Sequence, residues 1–441
     1  MNKQILSLFL IVSLSGLLTG CFTEQKKSLE ITVKVPNLTM IPICDSECKE
    51  AYQFLEKAAN AFSKQYRDAD VDINVVCFPI AEENKNIQKK LDTSDTTDIL
   101  FEGFFNMSTY IHTGRMVPLD DIISDKVRQD LDAVALAQGQ INGKTYMLPF
   151  NGLQNVLAYN KDLFQQAGLE DYISNQNVIQ NWTLKEWEFI LSALRKNLPE
   201  MTFPMMMYSK NDQGDAHIMT LIRSQGSNFF DERGYFNLST DEGIAGLQWI
   251  KDNYDNGYYP TICYNMEILD MSTLFLRGQL GIFFANSTHL NNFTDFTNLN
   301  LGFVNFPSKD GNGYATNFLT GFGVFDNGNE EKLKVSKEFI RFIYDNEEWM
   351  DYASSGIPAS NHIAEKYKND IFMLENFYQN GKNVVNFTAN NPNWRGVRNV
   401  FYTHIQNLLS GRRTAAQVAS DLDTDCNAAI ELGWKNSVLH E

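Results

Sequence analysis

The sequence carries many residues able to do chemistry, but none in a spacing that makes or breaks covalent bonds. It has no GxSxG elbow, no Walker loop, no HExxH pair and no GxGxxG following a strand. Any glycosidase-like carboxylate pair drawn from its 54 acidic residues is arbitrary in sequence alone. No CxxC pair or histidine cluster marks a metal, and nothing calls for a cofactor. What remains suits binding. Glu102, Phe104 and Phe105 follow the strand-like run 98–101, where a carboxylate can accept hydrogen bonds from hydroxyls while a phenylalanine stacks. Sugar rings present apolar C–H faces that pack on aromatic planes, and their hydroxyls want fixed carboxylate, amide and guanidinium partners. Asn37 and Asn151 stand at other strand ends, and Asp212, Asp215 and His217 lie in the polar segment 209–217. Asp215 is equally suited to be a helix's first-turn acid. Aromatics make up 12% of the chain, with 31 phenylalanines and 18 tyrosines, but most aromatic side chains in any protein are core.

Residues 5–18 form a short apolar run after Lys3, closed by Leu18, Thr19, Gly20 and Cys21. A positive start, an apolar stretch too short for a membrane span and small residues before a cut site read as a secretory signal over 1–20. With cysteine after the cut, the pattern resembles the bacterial lipobox, which implies a lipidated Cys21 followed by a polar tether over 21–29. The formal charge of −17 argues against nucleic acid and fits a solvated acidic surface. Lipidation of Cys21 leaves five of six cysteines, an odd number. A strained Cys44–Cys48 bridge is conceivable, four residues apart on one helix face, whereas Cys77, Cys263 and Cys426 read as buried free thiols.

The elements that position these residues alternate. Residues 31–35 and 71–78 read as strands, 51–66 as a helix, 87–91 as a short helix and 98–101 as a buried strand. That order marks an α/β lobe with a mainly parallel sheet, whose ligands sit at the carboxyl ends of strands. The mature length predicts two lobes with separate cores. Residues 157–159 read as a strand ahead of a helix ended by Gly168, and residues 242–253 as an amphipathic helix stopped by Gly257.

Residues 143–169, GKTYMLPFNGLQNVLAYNKDLFQQAGL, resemble a segment of extracellular solute-binding proteins of ATP-driven importers, the maltose-binding-protein-like family 1. Thr97 to Leu100, the Gly114 to Asp120 turn, the tryptophan-led start at Trp182 and FLRGQLGIFFAN over 275–286 follow in the family's order. The run from Trp394 through Val397 and Arg398 to Thr414 is similar to the family's last helices.

The resemblance implies a two-lobed α/β fold of the periplasmic-binding-protein type II, each lobe a central sheet flanked by helices with the ligand cleft between them. It implies three crossings, near 150–153, 304–307 and 345–347, hence lobe 1 over 30–150 and 306–345 and lobe 2 over 151–305 and 346–441. Trp394, followed by Arg395, falls where the family carries a sugar-stacking tryptophan. Asn286 and His289 fall on a binding loop, His289 replacing a tryptophan there, and Asp212 and Asp215 match a loop facing the cleft. The implied protein is a monomer lipid-anchored on the outer face of the bacterial cytoplasmic membrane. It takes a carbohydrate by hinge closure, hands it to ABC permease subunits and catalyses nothing. Rival readings are a polyamine- or iron-binding protein and a surface lipoprotein enzyme acting on glycans.

Overall fold

The computed structural model describes residues 27–37, 46–79, 87, 89–91, 93, 96–286, 299–387 and 391–439, without the side chains of 36, 37, 46–50, 78, 79 and 213. Cys21, Cys44 and His289 lie outside the described residues, as do the side chains of Asn37 and Cys48. The lipid anchor and the Cys44–Cys48 bridge therefore have no structural counterpart here.

Strand β1 (Ser28–Asn37) alternates apolar and polar residues and buries Ile31, Val33 and Val35. It pairs in parallel with β2 (Asp70–Pro79), and α1 (Ser46–Gln65) makes the crossover between them. On its other edge β1 pairs in parallel with β3 (Ile99–Gly103), which is buried throughout and runs directly into α2 (Phe104–His112). This is the expected parallel α/β beginning.

Two long strands then tie the molecule together. Strand β4 (Leu148–Asn160) is 13 residues long and β9 (Ala315–Val324) is 10, and they pair antiparallel from Thr316 opposite Asn155 to Phe322 opposite Leu148. Beyond Asn155 the partners of β4 change to β7 (Leu280–Asn286) and β8 (Leu301–Val304), while β5 (Ile179–Gln180) extends the edge beside β8 and β6 (Phe203–Met205) pairs with β7. The result is one sheet with β2-β1-β3-β9-β4-β8-β5 as its spine. Both long strands are fully buried at their ends and half-buried in the middle, at residues 151–153 of β4 and 317–320 of β9.

The helices cover each end separately. Helix α3 (Leu184–Asn197) begins with a capping box between Thr183 and Glu186 and buries Trp187, Ile190, Leu191 and Leu194 on one face. Helices α4 (Asp215–Arg223) and α5 (Asp241–Asp255) pack beside it in the same apolar core, and α6 (Glu330–Asp345) closes the opposite end with Val335, Phe339, Ile340 and Ile343. The last two helices, α7 (Trp394–Leu409) and α8 (Ala415–Asn436), pack antiparallel against one another.

Among the described residues, buried apolar side chains fall into three clusters. One joins β1, β2, α1, α6 and Phe150; a second, larger one joins residues from Val156 to Phe306 with α7 and α8; a third lies under α2 with Met116, Tyr146 and Met147. The chain is thus a two-lobed α/β fold, the first and third clusters filling one lobe. The packing places segment ends differently from the sequence-based boundaries. Phe306 and Ala315 belong to the second cluster and Phe322 to the first, so the chain changes core inside β9, where the half-buried stretch lies. Trp349, Met350, Ala353, Ala359 and Ile363 still pack in the first cluster and Phe377 in the second, so residue 346 is not where the chain leaves the first lobe.

The thiols divide too. Cys263 and Cys426 are buried and free, whereas Cys77 is exposed on β2 and disulfide-bonded. The expectation of a buried, free Cys77 fails: alternation puts it on the face of Val71, Ile73 and Val75, but it stands near the end of the edge strand, where that face is exposed, and it is bridged.

Candidate functional site

The end of β3 and the start of α2 build one wall. Gly103, the N-cap of α2, sits against two rings: a Cβ there would lie 2.8 Å from Phe105 Cε1 and 2.9 Å from Phe318 Cζ. The missing side chain lets Phe105 and Phe318 meet edge to face, with centroids 5.0 Å apart. Both rings are half-buried, at the centre of the molecule where β9 changes core. Phe104 turns the other way, into the cluster beneath α2, so of the two candidate stacking residues only Phe105 offers a face.

The facing wall comes from α7 and the start of α4. Arg398 lies one turn after Trp394, with its guanidinium over the Phe105 ring at 5.3 Å. Its Nε donates to Asp215 Oδ2 at 2.7 Å and its Nη2 to the Asp212 carbonyl at 2.8 Å, while Nη1 stands 3.6 Å from Asp212 Oδ2. The Nε–Nη2 edge is therefore fixed by the protein, and Nη1 makes no hydrogen bond among the described residues. Burial alone lowers the Arg398 pKa, but Asp215, Asp212 and Glu102 outweigh it and keep the guanidinium charged. Burial pushes the Asp215 carboxyl up, and Arg398 opposes that shift. Asp215 is thus more than a first-turn acid: it orients the arginine.

Glu102 is fully buried at the end of β3, close enough for its charge to act on Arg398, and Oε1 accepts the Gly103 N–H at 2.7 Å. Asn106, on the first turn of α2, is 4% exposed, and neither Nδ2 nor Oδ1 has a partner among the described residues. A whole amide left unsatisfied in the interior costs on the order of 2 kcal/mol or more. His217 stacks on Tyr208 with centroids 4.4 Å apart, and burial holds its pKa down at about 3.

The other predicted residues fall elsewhere. Trp394 is 3% exposed and packs in the second cluster with Val397 and Phe401, so in this structure it presents no free face to a sugar. Arg395 beside it is half-buried. Asn286 is buried at the end of β7 opposite Asn155, and Asn151 donates to Ser355 Oγ at 3.1 Å in the first lobe. The structure thus brings together Glu102, Phe105, Asp212 and Asp215, and adds three residues that sequence reasoning missed. Arg398 was within reach of a helical-spacing argument, four residues after Trp394. Phe318 and Asn106 carry no such signal.

An aromatic pair, a fixed guanidinium and buried carboxylates thus meet between two lobes joined by paired strands. Residues 49–350 match the bacterial extracellular solute-binding proteins, and the chain belongs to that family. It is 24% identical over 251 residues to the arabinooligosaccharide-binding protein of Bacillus subtilis (strain 168), an alignment covering 56% of this chain and 53% of that one. The chain thus spans about half the length of that relative. Among solved structures, an ABC substrate-binding protein from Listeria monocytogenes in complex with cycloalternan superposes with a TM-score of 0.73 at 17% identity, over 92% of this chain and 100% of that one. A chitin oligosaccharide binding protein superposes with a TM-score of 0.74 at 18% identity, over 92% and 99%. These likenesses show a common fold.

Proposed function

We propose that this chain is the lipid-anchored binding component of an ABC importer, taking a neutral oligosaccharide into the cleft between its lobes and delivering it to a permease. The observation that carries the reading is the Phe105–Phe318 pair lying beside Arg398, whose Nη1 is left for a hydroxyl while Asp215 fixes the rest of the group. Aromatic faces for C–H surfaces next to a rigid donor match what a sugar presents. The names of the relatives add support, since their ligands are oligosaccharides.

Closure follows from the arrangement. Phe105 rises from the first lobe and Arg398 from the second, so one ligand touches both only when the lobes adjoin, and that differential affinity favours the closed form. The half-buried middles of β4 and β9 are the hinge.

Titration calorimetry with maltotriose, chitotriose and arabinotriose tests the reading. At least one should bind, and Phe105→Ala should weaken it by roughly 2 to 4 kcal/mol, about thirty- to a thousand-fold. Binding of none, or an affinity indifferent to Phe105, would remove the carbohydrate site.

A further inference from the structure

The segment after the last helix leaves one core and enters another. Helix α8 buries Leu422, Cys426 and Ile430 in the second cluster, yet Leu439, three residues beyond its end at Asn436, packs against the third cluster beneath α2. Residues between these points grip the end of α2. The Val438 N–H donates to the His112 carbonyl at 2.7 Å, and the buried Ser437 hydroxyl lies 3.0 Å from His112 Nδ1. Trp434 meets the His112 ring edge-on with centroids 5.2 Å apart. Val438 lies directly over Gly114, its Cγ2 2.9 Å from where a Cβ would stand.

His112 completes a stripe on α2. Phe105, Ser108 and His112 are spaced i, i+3, i+7 and so share one helix face. Phe105 lies under Arg398, Ser108 donates its hydroxyl to the Asn391 carbonyl, and His112 holds residues 437 and 438. All three contacts run from a helix of the first lobe to the carboxyl-terminal helices or the turns beside them.

We propose that residues 437–439 form a strap that holds α2 against the carboxyl-terminal helices and releases when the cleft opens; this rests on the hinge reading above. The contacts exist only while α2 and the end of α8 adjoin, so their free energy counts entirely toward the closed arrangement. A chain without the strap populates the closed form less, and its apparent affinity falls in proportion.

The test compares the full chain with one ending at Asn436, by solution scattering without ligand and by titration with maltotriose, chitotriose and arabinotriose. The strapless chain should have the larger radius of gyration when unliganded. It should bind roughly fivefold or more weakly and compact to the parent's value at saturation. An unchanged radius and affinity would overturn the strap.

A second pair of substitutions, Gly114→Cys with Val438→Cys, guards against a truncated chain that fails to fold. The Gly114 Cβ position is 3.9 Å from Val438 Cβ, within disulfide range, although φ of +70° at residue 114 strains any side chain there. The oxidised form should show without ligand the compact radius that the parent reaches only at saturation, and admit ligand more slowly, recovering on reduction, with the reduced parent as control. Ligand entry as fast as in the parent would count against the strap. A parent whose radius does not fall at saturation overturns the hinge and the strap with it. Unchanged variants of a parent that closes overturn the strap alone.

Discussion

His217 shows what burial does to a single residue at this site. Its ring lies tilted against Tyr208, its Nε2 has no partner among the described residues and its pKa is held at about 3, so the native state keeps it neutral where an unfolded chain would protonate it near 6.5. The unfolded state therefore binds more protons between these values, and stability is present in full above about 6.5 and lost as pH falls. In the upper half of that window the parent should lose about 1.4 kcal/mol per pH unit more than His217→Phe, read from urea unfolding at stepped pH. Equal slopes would mean that water reaches the ring. Trp394 carries the companion prediction. Packed among Val397 and Phe401, it should cost the fold about 3 to 5 kcal/mol when cut to alanine, and lower the melting temperature without ligand. Unaltered melting with lost binding would return it to the cleft. The sequence shows an aromatic at the right helix position, but helical spacing alone does not say which side of the helix opens to the cleft. Arg398, one turn later, is the residue that reaches Phe105.

At the scale of elements, the joint between β4 and β9 leaves little room for a side chain. Their register shifts between Thr320 and Gly321, and a Cβ on Gly321 would stand 2.3 Å from the Leu148 carbonyl oxygen, which as backbone cannot move aside. Gly321→Ala should therefore destabilise the protein by roughly 1 to 3 kcal/mol, seen as a lower urea midpoint, by forcing the two strands apart. A midpoint within error of the parent would show that the bulge has room to relax. Local periodicity made β1, β2, β3 and α5 legible, since alternation and helical spacing are written in neighbouring residues. The place where the chain changes core was not. Phe306, Ala315 and Phe322 are equally apolar, and only the pairing of β9 along β4 decides which core each enters. The site shares that limit: Glu102 and Asp215 announce themselves at strand and helix ends, whereas Phe318 meets Phe105 only through strand pairing.

For the whole molecule, the proposed anchor and the fold can be tested apart. Among the described residues no helix is long and apolar enough to cross a membrane, and the anchor proposed above is Cys21. Cys21→Ala should leave melting unchanged and move the protein from membrane to soluble fractions, because acyl chains contribute about 0.8 kcal/mol per buried methylene. Continued sedimentation with membranes would sink the lipid anchor. The bond at Cys77 bears on how the molecule is made. A bridge on an exposed edge strand persists where thiols are oxidised and is withheld in a reducing cytoplasm. Newly made chains would then leave the ribosome without it and acquire it only after export, so protein prepared inside reducing cells is a different covalent species from the one displayed outside. Cys263 and Cys426, sealed in the core with thiol pKa values raised by burial, are poor competitors for the wrong pairing once the second lobe has folded.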